Sequence, residues 1–256
     1  MLKFNTCILG GGWAGLLGAK RITEANIKDV VLIEARKLGE LGGLLRTEQI
    51  SGFSFDCGGL HLLFSRYEKI LSEITNILKP NYSKRMGNNY EGLSKKFDYN
   101  SVVIVGIALK GKTPNQTTVY VPDPRIIFYR YTWMSSLIPP KEVDKSNLIA
   151  EITVPKDEEA DLEKIVKKVI HGFLNIGVIK DESSILFTKV WFNKYGYPIY
   201  SLDHNEVREN AFRILEHYGI KSVGGWGSWH YRNTDMVSNA VNQMNLDCMI
   251  RIDASK

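Results

Sequence analysis

A chain of 256 residues has room for one large domain, or for one domain with a small lobe. With 44% hydrophobic and 24% charged residues it can build an apolar core, which excludes a disordered or fibrous polypeptide. The net charge of +5 comes without a long Lys/Arg run, which argues against a nucleic-acid arm, and no apolar run reaches the roughly 20 residues of a membrane helix.

The run Thr6-Cys7-Ile8-Leu9 reads as a short apolar strand. It leads into Gly10-Gly11-Gly12-Trp13-Ala14-Gly15, which satisfies G-x-G-x-x-G. Residues 16–25 carry a helical pattern, and a second strand, Val30-Val31-Leu32-Ile33, ends on Glu34. Strand, glycine turn, helix, strand and acid in this order make a Rossmann βαβ unit and point to a dinucleotide. Gly10 permits the turn, Gly12 lets the backbone approach a pyrophosphate, and Gly15 lets the helix pack on the sheet. The helix N-terminus at Trp13 and Ala14 offers N–H groups and partial positive charge to phosphates. Glu34 stands where a carboxylate accepts hydrogen bonds from a ribose diol. The glycine loop also argues against reading the apolar N-terminus as a signal peptide.

Further along, Gly42-Gly43-Leu44-Leu45-Arg46-Thr47 is followed by residues 53–61, which include Asp56-Cys57-Gly58-Gly59-Leu60-His61. Residues 67–78 look like an amphipathic helix closed by Pro80, and 79–98 like a polar connection. Strands are expected over 101–109, 117–121, 126–133, 148–154 and 184–191, with a turn over 193–198. Helices are expected over 161–175, where acids precede lysines, and over 207–218, closed by Gly219. A short strand over 220–223 should lead into Gly224-Gly225-Trp226-Gly227, and a last helix should run over 235–243. Residues 1–78 and 201–256 are expected to form the nucleotide-binding domain and 79–200 a small substrate lobe.

The three cysteines, Cys7, Cys57 and Cys248, suggest neither a metal site nor a disulfide framework, so a reducing, cytoplasmic setting is the simpler expectation. Cys7 reads as core. His171 reads as a surface residue, His204, His217 and His230 show no metal-ligand spacing, and Lys164, Lys167 and Lys168 read as a solvated helix face.

The set Gly10/Gly12/Gly15, Glu34, Gly42-Gly43-Leu44, Arg46-Thr47 and Asp56-Cys57-Gly58-Gly59 resembles the amine-oxidase and protoporphyrinogen-oxidase superfamily of FAD enzymes. The later motifs narrow this. Tyr99-Asn100-Ser101, Tyr120-Val121-Pro122-Asp123-Pro124, Phe128-Tyr129-Arg130, Tyr195-Gly196-Tyr197-Pro198 and the stretch 224–235 are similar, in that order, to UDP-galactopyranose mutases and their archaeal relatives. The resemblance implies an α/β fold, with a Rossmann-like FAD-binding domain and a small mixed α+β substrate lobe, holding FAD noncovalently.

Position by position, it implies that Glu34, Ala35 and Arg36, with Gly42, Gly43, Leu44 and Arg46, lie along the dinucleotide. Gly58, Gly59 and His61 would approach the isoalloxazine, with Trp226 beside it. Gly227, Asn233, Thr234 and Asp235 would return to the ribityl chain and pyrophosphate. Tyr120, Arg130, Tyr197 and Tyr231 would face the substrate, where a forked guanidinium and oriented hydroxyls suit a sugar diphosphate. A structural salt bridge is the competing reading of Arg130, and sheet-face packing that of Tyr129, Tyr131, Tyr195 and Tyr197. Trp229 reads as packing.

This chain departs from the mutase pattern at Gly225, where the family carries an arginine, and at the extra residue Leu60. Only about thirty residues separate Phe64 from Tyr99, so the family's long central lobe is missing. Three functions stay open: an FAD oxidoreductase acting on a small organic molecule, a mutase-like isomerase acting on a nucleotide sugar, and a flavin-binding subunit without catalysis. An open pocket would invite a second copy or another protein to cover it.

Overall fold

The computed structural model describes residues 4, 6–37, 40–59, 97–217 and 219–246. His61, the expected helix over 67–78 and most of the connection 79–98 lie outside them. The chain forms two compact units, Met1–Gly43 with Leu62–Asp98 and Tyr200–Lys256, and Leu44–His61 with Tyr99–Ile199. Residues 44–61 thus group with the second unit, whereas the sequence reading kept them with 1–78.

In the first unit β1 (Thr6–Leu9) pairs in parallel with β2 (Val30–Ile33), Thr6 opposite Val30 and Leu9 opposite Ile33. Helix α1 (Trp13–Glu24) is the crossover and buries Leu17, Gly18 and Ile22. Cys7 is exposed, which corrects its reading as core: Thr6 turns inward and the alternation of a strand turns Cys7 outward. The C-terminal part adds α3 (His204–His217), α4 (Gly224–Gly227) and α5 (Thr234–Asn242). Gly219, at φ +70°, follows α3, and Ile220 N–H returns to the Leu215 carbonyl at 2.8 Å. The strand expected over 220–223 is absent, because the segment is an extended link into the short α4 without a pairing partner among the described residues.

The second unit is a five-stranded antiparallel sheet whose strands, in spatial order, begin at Thr118, Arg130, Lys145, Tyr99 and Ile185, with a separate hairpin. The hairpin is β3 (Thr47–Ile50) and β4 (Phe53–Asp56), joined by Ser51 and Gly52, both at positive φ. The sheet strands are β5 (Tyr99–Lys110), β6 (Thr118–Tyr120), β7 (Arg130–Trp133), β8 (Lys145–Pro155) and β9 (Ile185–Pro198), and α2 (Leu162–Asn175) connects β8 to β9.

Alternation along the central strands builds two cores. Val103, Val105 and Ile107 pack with Leu148, Ala150, Val169 and Phe173. Val102, Ile104 and Ala108 pack with Ile149 and with Phe53 and Phe55 of the hairpin. Each of the Val, Leu, Ile and Phe side chains contributes roughly 1.5–3 kcal/mol on burial. Gly106 sits mid-strand because a β-carbon there would lie 2.6 Å from the Phe55 ring and 3.0 Å from that of Trp191.

Two expectations are corrected here. Residues 193–198 are not a turn but the end of β9, which pairs with β5 past an irregularity between Asn100 and Val102. Of residues 126–133, only Arg130–Trp133 are strand. Phe128 leaves the sheet pattern to stack on Phe173, ring centroids 4.3 Å apart.

Candidate dinucleotide site

The glycine loop is built by close backbone contact. Gly10, at φ +98°, turns the chain out of β1, and its N–H donates to the Ile33 carbonyl at 2.7 Å. A β-carbon at Gly15 would overlap the Gly10 carbonyl oxygen, so only glycine lets α1 start this close to β1. At Gly12 a β-carbon would meet nothing within 4 Å, so the loop backbone opens onto free space. Gly12 caps α1 without a side-chain hydrogen bond, and the first turn holds no acid. The positive end of the helix therefore has no carboxylate of its own.

Glu34 closes one side. Its Oε2 accepts from the Gly11 N–H at 2.5 Å and its Oε1 from the Arg36 N–H at 2.9 Å. The carboxylate is thereby held between the loop and the Ala35-Arg36 turn. Gly42 closes another: its N–H donates to the Gly11 carbonyl at 2.9 Å, and it bridges Gly12 in parallel. Gly42 and Gly43 both take positive φ, and a β-carbon at Gly43 would sit 3.3 Å from the Gly12 α-carbon.

The C-terminal segment returns to the same loop. Gly224, at φ +96°, sits against Ala14, where its β-carbon would lie 2.8 Å from that of Ala14. Trp13 Nε1 donates to Ser238 Oγ at 2.8 Å, and Arg21 Nη1 donates to the Val241 carbonyl, and to that of Met244 at 2.7 Å. These bonds tie both ends of α1 to α5 and the segment that follows it. Gly227 accepts through its carbonyl from Ser222 Oγ at 2.7 Å. Asn233 caps α5 ahead of Thr234, and Asp235 is buried with its Oδ1 accepting from the Met236 N–H. Trp226 packs edge-on against Trp229, which also meets Phe97, in keeping with a packing role for Trp229.

Leu44, Arg46, Gly58 and Gly59 lie in the second unit. The turn after β4 is held by the Cys57 N–H donating to the Arg46 carbonyl at 2.9 Å and by Asn193 Nδ2 donating to the Cys57 carbonyl at 2.8 Å. A β-carbon at Gly58 would overlap the Leu44 backbone. Burial pushes the Cys57 thiol up to about 11. Native protein is therefore expected to react with a thiol reagent at exposed Cys7 and to protect Cys57 until unfolding. Mass mapping of the alkylated cysteines checks this, and equal labelling of the two would overturn it.

Beneath Gly59 lies a residue that sequence reasoning missed. Glu151, in the middle of β8, is fully buried. Its Oε1 accepts from Arg130 Nε at 2.7 Å and its Oε2 from Arg130 Nη2 at 2.5 Å. Tyr129 OH donates to Oε2 at 3.1 Å, and Arg130 Nη1 donates to Tyr120 OH at 3.2 Å. Tyr197 joins the same group, facing Tyr129, Arg130 and Glu151. A β-carbon at Gly59, at φ +97°, would come 2.7 Å from Glu151 Oε2. Burial opposes the Arg130 charge, but its bonds and attraction to Glu151 outweigh that and hold its pKa above the ordinary value. Burial, then the Glu151 charge, pushes both tyrosine phenols up.

Arg130, Tyr120 and Tyr197 are thus brought together, with the Arg130 fork engaged by a carboxylate. The other tyrosines divide: Tyr131 is core against Phe173, and Tyr195 is exposed beside Tyr99. The signal for Glu151 was a lone acid in an apolar strand, Leu-Ile-Ala-Glu-Ile-Thr-Val.

Tyr231 lies in the first unit and is exposed. Its N–H donates to Tyr200 OH at 2.7 Å, and Tyr200 OH is also bonded to His230 Nδ1 at 2.8 Å. His204 stacks on Tyr200 at 4.0 Å. Burial, then the charges of Arg208 and His230, lowers the His204 pKa. A His pKa lower in the folded chain than in the unfolded one means the unfolded state takes up the proton first. Stability is therefore whole above the unfolded His pKa and is lost as pH falls through it toward the folded value. The urea midpoint is expected to drop more between about pH 7.5 and about pH 5.5 in the native protein than in His204→Gln. Equal drops would rule out this histidine as the source.

Among the described residues no cluster of three or more His, Cys, Asp or Glu could hold a metal ion, and no helix is long and apolar enough to cross a membrane.

Comparison with known proteins agrees with this geometry. Residues 8–76 match the family model of the NAD(P)-binding Rossmann-like domain. The fold is similar to the crystal structure of reduced UDP-galactopyranose mutase, with a TM-score of 0.75 and 15% identity over 94% of this chain and 94% of that one. It is also similar to a protein from Exiguobacterium sp. 255-15 named, by inference, as a protoporphyrinogen oxidase. There the TM-score is 0.61 and identity 12%, over 92% of this chain and 96% of that one. The chain therefore has the α/β fold that these two structures share, with a Rossmann-like unit matched over residues 8–76.

Proposed function

We propose that the chain is a flavoenzyme that binds FAD noncovalently and acts as an oxidoreductase on a small organic molecule. One observation carries the reading: the glycine loop, the Gly42-Gly43 turn and Gly224 meet at the uncapped start of α1, with Glu34 fastened beside them. The cradle fits the group. Open space at Gly12 receives a diphosphate, the bare helix end supplies N–H donors, and Glu34 is placed for a ribose diol. When bound, FAD would supply the electron-accepting ring. The chain's own share is to bind and orient the cofactor, with Trp226, Gly227, Asn233, Thr234 and Asp235 on the returning segment. We assign Arg130, Tyr197 and Tyr231 as candidate substrate contacts and His61 as a candidate flavin contact.

The sugar-nucleotide isomerase reading draws less support, because the Arg130 fork is engaged by Glu151 and Gly225 supplies no second cation. Purified protein should be yellow and should release FAD, not FMN or a nicotinamide nucleotide, into the supernatant on heat denaturation. Reduced nicotinamide or dithionite should then bleach it. Failure of the protein to take up FAD, either as isolated or after incubation with excess cofactor, would overturn the proposal. A flavin spectrum perturbed by a UDP-sugar only in the reduced state would favour the isomerase instead.

A further inference from the structure

Helix α2 divides its residues sharply. Ile165, Val169, Gly172 and Phe173 are buried against the sheet, while Lys164, Lys167, Lys168, His171 and Asn175 are exposed. The exposed residues lie at steps of three and four along one face. Beside that face runs the segment Pro124, Arg125 and Ile127, and between the two is a cavity of about 560 Å³. Gly172 brings the helix close to this segment: a β-carbon there would lie 3.0 Å from the Phe128 ring, which would have to give by a few tenths of an ångström. Phe128 stacked on Phe173 fixes the two walls from behind.

The lining is cationic. Arg125, Lys164, Lys167, Lys168 and His171 contribute, and no carboxylate does. Arg125 is already forked onto Asp123, with Nη2 to Oδ2 at 2.7 Å, so that pair is close to neutral. Two acids stand at the helix start: Asp161 accepts from the Lys164 N–H, and Glu163 is in the first turn. Among the described residues, no ion pair engages Lys164, Lys167 or Lys168. Three ammonium groups and an imidazole therefore share one concave wall, and like charges at such spacing repel.

We infer that this groove binds a compact polyphosphorylated molecule, with Lys164, Lys167 and Lys168 as its ligands. Its volume is in the range of small-molecule sites. Lysines act as point charges that suit several phosphate oxygens, and the one planar fork present is occupied. No Trp, Tyr or Phe lines the groove, so it offers nothing for stacking nucleic-acid bases. Its only apolar side chains are Pro124 and Ile127, too little apolar surface to insert into a bilayer, which favours a soluble anion over a membrane surface. The site is separate from the glycine loop and does not depend on the flavin reading.

Isothermal titration with inorganic tripolyphosphate tests it, on full-length protein with FAD in excess so that any diphosphate cradle is occupied. One site is expected, weakening with added salt. It should weaken at least about tenfold in the K164Q/K167Q/K168Q variant, with melting temperature unchanged. If that variant does not fold, the backbone amide shifts of residues 164–171 in the native protein decide the matter. The inference is overturned by an absence of binding, by equal affinity in the triple variant or by shifts confined elsewhere. Equal binding of sulfate at matched ionic strength, or binding only to phosphatidylglycerol vesicles, also overturns it.

Discussion

Replacing Glu151 with alanine is expected to lower the unfolding free energy by about 3–5 kcal/mol, the cost of stripping one partner from a buried ion pair. Arg130 would keep its charge with only 17% of its side chain exposed, and Tyr129 would lose its acceptor. Against a typical stability of about 5–15 kcal/mol this is a large fraction. Glu151→Gln keeps the shape and part of the hydrogen bonding, so its loss should be smaller. Arg130→Met combined with Glu151→Leu should recover most of the loss, because paired apolar groups of similar volume replace the ions. Urea unfolding followed by tryptophan fluorescence measures all three. A loss under about 1 kcal/mol in Glu151→Ala would show that water already reaches the pair.

The second and third glycines of the motif, Gly12 and Gly15, should differ in what their substitution does to stability. Gly15→Ala places a methyl group on the Gly10 carbonyl oxygen, so α1 must move off β1. We expect a stability loss of about 1–3 kcal/mol, together with loss of dinucleotide binding. Gly12→Ala meets no heavy atom within 4 Å and sits at φ −75°, which alanine adopts freely. Its melting temperature should stay near that of the native chain, while dinucleotide affinity falls at least about tenfold, because the methyl occupies the space of the diphosphate. Titration of FAD by flavin fluorescence, set beside thermal melts, separates the two effects. Native affinity in Gly12→Ala would remove the cradle from the binding site.

The contrast between these residues shows what could be read in advance. The βαβ unit was legible because each of its demands is local: a turn at Gly10, a helix after Gly12, an acid after the second strand. The long apolar strands Tyr99–Lys110 and Lys145–Pro155 were legible by the same logic, as was α2 from its early acids and later lysines, while the structure makes Asp161 its cap. The hairpin over 47–56 was left unread, although Ser51-Gly52 between alternating residues is a short-range turn signal. Residues 193–198 misled because Asn, Gly and Pro favour turns, yet β9 continues through them by pairing with the end of β5.

The sequence by itself determined the βαβ unit: a glycine turn after β1, a crossover helix and an acid at the end of β2, all set by contacts between near neighbours in the chain. Tertiary structure alone decided that Trp13 and Arg21 bond to Ser238, Val241 and Met244, that Glu151 takes the Arg130 fork, and that Cys7 faces outward. Those outcomes depend on groups as many as about two hundred residues apart meeting in space, and no local pattern encodes which distant partner a buried charge or a bare glycine will find.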